Sequence, residues 1–117
     1  MKFKIVLWVL GRLMARAEKT NPAFKEKLKN QDITMEIKSH DGTARHFIFK
    51  DETIRSYSGP AHQPTLSLNF KNSRIGFNAF TAKDKKRAMM NCIKEKNIII
   101  EGNTTSMIWF QSLAKLI

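Results

Sequence analysis

Few residues in this chain could do chemistry, and their spacing does not favour it. The three histidines are His40 at a turn, His46 on the polar side of a strand and His62 in a proline loop, and none has a partner histidine at ligand spacing. Asp41 and Asp51 flank a short strand at positions that turn chemistry explains. Ser56-Tyr57-Ser58-Gly59 offers hydroxyls but no base positioned to activate one, and it reads as the end of a strand. The HExxH, P-loop, GxGxxG and GxSxG patterns are absent. The residues therefore nominate no catalytic group and no metal site, and they call for no cofactor.

Cys92 is the single cysteine, which excludes an internal disulfide and a Cys-rich zinc site and permits a reducing compartment. Helical spacing points it inward as a small core residue.

Charge is the chain's stronger chemical signal. The formal net charge is +11, divided as +6 over residues 1–30, −1 over 31–70, +6 over 71–96 and zero over 97–117. Two basic segments around a neutral middle would be drawn to anionic lipid, nucleic acid or an acidic protein. Lys83, Lys85, Lys86 and Arg87 surround Asp84 at a predicted helix start. Cations there oppose the helix dipole but raise the positive potential near the exposed N–H groups, as an anion site would require. The simpler alternative is a solvated face. RNA binding would need exposed aromatics on a basic sheet face, but the strand pattern turns the aromatics inward, which disfavours nucleic acid.

The elements that position these groups follow from hydrophobic periodicity. Phe3, Val6, Leu7, Leu10, Leu13, Met14 and Ala17 share one face of a helix over residues 3–18. Ile5 and Trp8 fall outside it, beside Arg12 and Arg16. They could make a second packing contact, or Trp8, Arg12 and Arg16 could form a basic–apolar face at an anionic membrane. The basic start and apolar run from Ile5 to Leu10 suggest a signal peptide, but Arg12 and Arg16 interrupt the pattern. The segment reads as a retained helix. No run approaches the ~18–20 apolar residues of a membrane span. The expectation is a single domain over residues 1–117, with 1–20 as an N-terminal amphipathic helix, in a cytoplasmic protein.

Asn21-Pro22 restarts a short helix to Leu28, with Asn21 as cap and proline at the first helical position. The period then becomes two. Ile33, Met35 and Ile37 define a strand, and His40-Asp41-Gly42-Thr43 a hairpin turn. Arg45–Lys50 returns with Phe47 and Phe49 inward. A third strand runs from Thr53 to Ser58 and a fourth from Thr65 to Phe70, separated by a loop containing Pro60 and Pro64. Ile75, Phe77 and Phe80 suggest a short helix. Thr81-Ala82-Lys83-Asp84 resembles a capping box that opens a helix burying Ala88, Met89, Cys92 and Ile93. Asn97–Glu101 forms the fifth strand and Thr104–Leu116 the closing helix. This is an α+β arrangement, an antiparallel five-stranded sheet with helices on one face.

The closing helix carries more apolar surface than one sheet contact requires. Met107, Trp109, Phe110, Leu113, Ala114, Leu116 and Ile117 cover about half its circumference, and Ile108 stands apart. A ligand cavity, the first helix or a protein partner could take the excess. Methionine suits the wall of a cavity with a variable apolar guest.

Three stretches carry a family resemblance: Asn21-Pro22-Ala23-Phe24; Ser39-His40-Asp41-Gly42-Thr43 with Phe47-Ile48-Phe49; and Leu66-Ser67-Leu68-Asn69-Phe70. A fourth is Ile98-Ile99-Ile100-Glu101-Gly102-Asn103 leading into Met107-Ile108-Trp109-Phe110. In this order the chain resembles the sterol carrier protein 2-like domains, particularly small bacterial single-domain members, from about Pro22 to its end. The resemblance implies an antiparallel five-stranded sheet covered by helices around an apolar tunnel for acyl chains, sterols, phospholipids or isoprenoids. It carries over no catalytic residue.

The leading expectation is therefore non-enzymatic binding or transfer of a lipid or other long apolar molecule: fatty acyl, sterol-like, or an isoprenoid or quinone precursor. Phe47, Phe49, Leu68, Phe70, Phe80, Met89, Met107, Phe110 and Leu113 are the nominated lining. Trp8, Arg12, Arg16, Lys83, Lys85, Lys86 and Arg87 are the nominated membrane or anion contacts, which would bring the protein to the inner face of the membrane as a peripheral component. The alternative is an interaction or accessory protein with a filled core, paired through Ile5, Trp8 or Ile108 with another copy or a protein partner.

Overall fold

The computed structural model describes residues 2–116. Ile117, assigned above to the apolar arc of the closing helix, lies outside the described residues, as does Met1. The elements run α1 (Lys2–Thr20), α2 (Pro22–Leu28), β1 (Ile33–Ser39), β2 (Ala44–Lys50), β3 (Thr53–Ser58), β4 (Leu66–Phe70), α3 (Ser73–Thr81), α4 (Lys85–Lys94), β5 (Ile98–Gly102) and α5 (Thr104–Ala114). Asn21 caps α2 through its side-chain oxygen, which accepts from the Ala23 and Phe24 N–H groups.

The five strands form one sheet in the order β3-β2-β1-β4-β5. It is mixed, which corrects the antiparallel expectation: β4 lies parallel to β1, with Met35 opposite Leu66 and Ser39 opposite Phe70. The other three pairings are antiparallel. Alternation specifies which face a residue occupies but not which strand lies beside it. Here the loop after β3 crosses the outer face of the sheet, and β4 lands beyond β1.

Glu36 anchors that crossing. It is outward on β1 yet almost fully buried, with its carboxylate accepting from Ala61 N–H at 2.9 Å and Ser67 Oγ at 2.8 Å. Lys38 Nζ stands 3.3 Å away. Burial works to raise the pKa of this carboxyl, but the Ser67 hydroxyl, the Ala61 N–H and the Lys38 ammonium outweigh it and leave the value lowered.

The inner face is the core. Met35, Ile37, Phe47, Phe49, Leu66, Leu68 and Phe70 are buried against Phe3, Leu7 and Met14 of α1, Phe24 and Leu28 of α2, and Met107, Phe110 and Leu113 of α5. Helix α1 lies on β2 and β3 rather than beside the domain. Gly11 makes this close approach possible, because a Cβ there would stand 2.9 Å from Ser56 Oγ and 3.2 Å from the Phe47 ring. The buried stripe therefore turns toward Gly11, and Leu13, expected inside, is exposed.

Two further expectations change at α4, its buried residues and its cap. On α4 only Met89 is buried; Ala88 and Cys92 are half-buried, and Ile93 is exposed beside Met90. Burial pushes the Cys92 thiol pKa up, with a smaller push from Glu95. The cap of α4 is Asp84 itself, which accepts from Arg87 N–H at 3.0 Å; Thr81 instead ends α3, its hydroxyl donating to Phe77 O at 2.7 Å.

Asp41 ties the β1–β2 turn to the start of α3. Its carboxylate accepts from the Ser39 and Ser73 hydroxyls and, at 2.9 Å, from the Ser73 N–H. Ser39 and Ser73 hold its pKa at about 2, against an ordinary 3.8. A depressed carboxylate stabilises the fold when ionised. The contribution is thus complete above about pH 4 and vanishes as the pH falls toward 2. Asp41→Asn is expected to melt at a lower temperature than the parent at pH 7, with the gap narrowing between about pH 4 and 2. Thermal melts across that range check this, and a pH-independent gap would contradict it.

Candidate functional site

The nine nominated lining residues come together between the sheet and the helices. Phe47 and Phe49 project from β2, Leu68 and Phe70 from β4, Met89 from α4, and Met107, Phe110 and Leu113 from α5, all in one core cluster, with Phe80 of α3 packed against it. Phe80 is half-buried and the other eight are buried.

The layer is tightly filled by rings. Phe70 and Phe80 meet edge to face at 5.8 Å between centroids, and Phe3 joins them at 5.7 Å from Phe70 and 6.1 Å from Phe80. Phe3 lies so close to α3 that a Cβ on Gly76 would stand 2.5 Å from its Cζ. At the other end Trp109 packs edge-on against Phe49 at 5.1 Å, while its indole N–H donates to Lys27 O at 2.9 Å and ties α5 to α2. Sequence reasoning placed Phe3 in the core but missed it as a wedge in the site. The signal was Gly76, a glycine inside a helical pattern, which often marks a close contact.

Among the described residues two surface clefts stand out, and neither is lined by a nominated lipid-contact residue. One, of about 130 Å³, lies beneath the start of α1 and is lined by Lys4, Leu7, Thr43, Ala44, Arg45 and Ser58. The other, of about 290 Å³, lies on the outer face of the β2–β3 hairpin among Ile48, Lys50, Asp51, Thr53, Arg55 and Tyr57. Beside it the His46 and Tyr57 rings stack at 5.3 Å, and His46 Nδ1 stands 3.0 Å from Gly59 O.

The nominated surface contacts fall into two groups. On α1, Ile5, Trp8, Val9 and Leu13 are 39–61% exposed, so the second packing contact considered for Ile5 and Trp8 is not made among the described residues. Arg12 and Arg16 are exposed on the same side, and the Arg12 guanidinium sits 5.6 Å from the Trp8 ring centroid. Around the start of α4, Lys83, Lys85, Lys86 and Arg87 are exposed. The Asp84 carboxylate fills the cap beside them and takes the Arg87 N–H, so one of the N–H groups proposed for an anion is already occupied. Among the described residues no helix is long and apolar enough to cross a membrane.

No family model matches the sequence, and no curated protein matches it significantly. Solved structures do match. A structure described as the UbiJ-SCP2 ubiquinone synthesis protein superposes with a TM-score of 0.70 at 13% identity, over 96% of this chain and 95% of that one. The apo form of sterol carrier protein 2 from Yarrowia lipolytica gives 0.56 at 13% identity, over 93% and 91% of the two chains. The inverting sec-alkylsulfatase Pisa1 from Pseudomonas sp. gives 0.56 at 12% identity, where 80% of this chain matches 14% of the enzyme. At these identities the likeness concerns architecture, and the mixed five-stranded sheet under its helices has the sterol carrier protein 2-like fold.

Proposed function

We propose that this protein binds a lipid in the apolar layer between sheet and helices and carries it without converting it chemically. The supporting observation is that layer itself: eight nominated side chains from both sides join one apolar cluster, with Phe80 packed against it, in a sterol carrier protein 2-like fold. Acyl chains, sterol-like molecules and isoprenoid or quinone precursors share the long apolar body that such a layer can surround. The last class is favoured by the ubiquinone-synthesis description of one structural relative. Because Phe3 and Trp109 pack into the layer, entry of a chain requires them to swing or α1 to lift.

The exposed basic–apolar face of α1 supports a cytoplasmic carrier that loads at an anionic membrane surface. Native mass spectrometry and organic extraction of freshly purified protein are expected to reveal a bound lipid, and acyl, sterol or polyprenyl probes to show saturable uptake. No lipid and no uptake would overturn the proposal.

The closed packing of the layer favours one second reading, an accessory protein with a filled core. It would use exposed Ile5, Trp8 or Ile108 against another copy or a protein partner.

A further inference from the structure

We propose that the cleft beneath the start of α1 binds a phosphate-type oxyanion. Resting on the lipid reading above, we assign it to the headgroup of a lipid whose chain enters the apolar layer. The cleft's lining contains two cations, Lys4 and Arg45, and the Ser58 hydroxyl, with no carboxylate; the Thr43 hydroxyl also lies there but is bonded to Ser73 Oγ at 2.9 Å.

Arg45 carries most of the argument. It lies on the inner, helix-covered face of the sheet, opposite Ile37 of β1 and Ser58 of β3, and is half-buried. Among the described residues the two ion pairs are Lys29–Glu26 and Lys38–Glu36, so neither cation of the cleft belongs to one. The Arg45 Nε–H donates to Ser56 Oγ at 2.7 Å. A guanidinium has five N–H donors, so the others remain for a further acceptor. A partly desolvated cation without a counterion carries an electrostatic cost, and an anion in the cleft would offset it. Asp41, two residues from Thr43, is taken up by Ser39 and Ser73.

The cleft is also positioned and sized for a headgroup. Gly11 leaves room for the Ser56 hydroxyl that orients Arg45. Leu7 lines the cleft and is fully buried in the core cluster, so the polar rim adjoins the apolar layer. At about 130 Å³ the cleft admits a phosphate group but not a lipid chain. Two cations suit a phosphate monoester better than a singly charged carboxylate.

Calorimetric titration of the full chain with inorganic phosphate provides the first arm of the test. Saturable binding is expected, weakened at least tenfold in Arg45→Gln, the effect of losing charged hydrogen bonds. It should weaken several-fold in Lys4→Gln, an exposed position where folding is safe, and stay within about twofold in Lys94→Gln, which removes equal charge on α4. The second arm compares lysophosphatidic acid with the monoacylglycerol of the same chain. The parent should prefer the phosphate-bearing lipid about tenfold, and Arg45→Gln should lose that preference while still taking up the neutral lipid.

Phosphate binding that needs Arg45, without uptake of either lipid, would keep the oxyanion site, assign it to free phosphate and remove the lipid reading. Equal losses in Arg45→Gln, Lys4→Gln and Lys94→Gln would overturn the site. So would absent phosphate binding together with equal uptake of the two lipids, and that outcome would leave the carrier function standing.

Discussion

Phe3→Ala is expected to lower folding stability by about 3–5 kcal/mol, the cost of deleting a buried aromatic ring, and to raise the uptake of an acyl probe. The ring is fully buried and fills the space between Phe70, Phe80 and the Gly76 backbone. Its removal leaves a void lined by the side chains nominated for lipid contact, and an apolar chain can recover the lost contacts. The filled-core reading shares the stability loss but predicts no gain in uptake. Denaturant unfolding and fluorescent acyl titration, run on parent and variant together, therefore separate the two readings. Phe3→Leu, which keeps more of the volume, should fall between them in both measurements.

The double variant Arg12→Gln/Arg16→Gln should bind vesicles of phosphatidylglycerol and phosphatidylcholine about 30-fold more weakly than the parent. Each basic residue near an anionic surface contributes ~1 kcal/mol, and two give about 2 kcal/mol. Both side chains are exposed and neither is in an ion pair among the described residues, so folding should be unchanged. Trp8→Ala acts differently: it removes an exposed ring beside Arg12, and the loss should persist at high salt, where the arginine effect is screened. Co-sedimentation at two salt concentrations reads both effects. If the parent ignores anionic vesicles at low salt, the outer face of α1 has another partner.

The local pattern of this chain proved legible where it depends on neighbours in sequence. Ile33, Met35 and Ile37 alternate inward as their period requires, and Asn21-Pro22 starts a helix through its own side chain and ring. The inward placement of Phe47, Phe49, Leu68 and Phe70 follows in the same way, because a residue's face follows from its place in a strand. The α4 start differs from the pattern because two caps compete within four residues. Thr81 fitted a capping box, but Asp84 takes the Arg87 N–H and leaves Thr81 to end α3.

Tertiary structure decided what depends on contacts distant in sequence. Glu36 looked like an ordinary outward strand residue, and only the crossing loop buries it against Ala61 and Ser67. Leu13 is apolar at a core-like spacing, yet it faces water because Gly11 lets α1 settle in a different rotation. Nor does any local feature of Arg45 reveal that α1 will cover it beside Lys4. By itself the sequence determined the elements, the inward faces of the strands and the apolar character of the layer, since these rest on periodicity and capping. The tertiary structure alone decided that β4 runs parallel beside β1, that Phe3 closes the layer, and that two cations share a cleft. Those outcomes depend on which surfaces fit together, and a one-dimensional pattern carries no term for that.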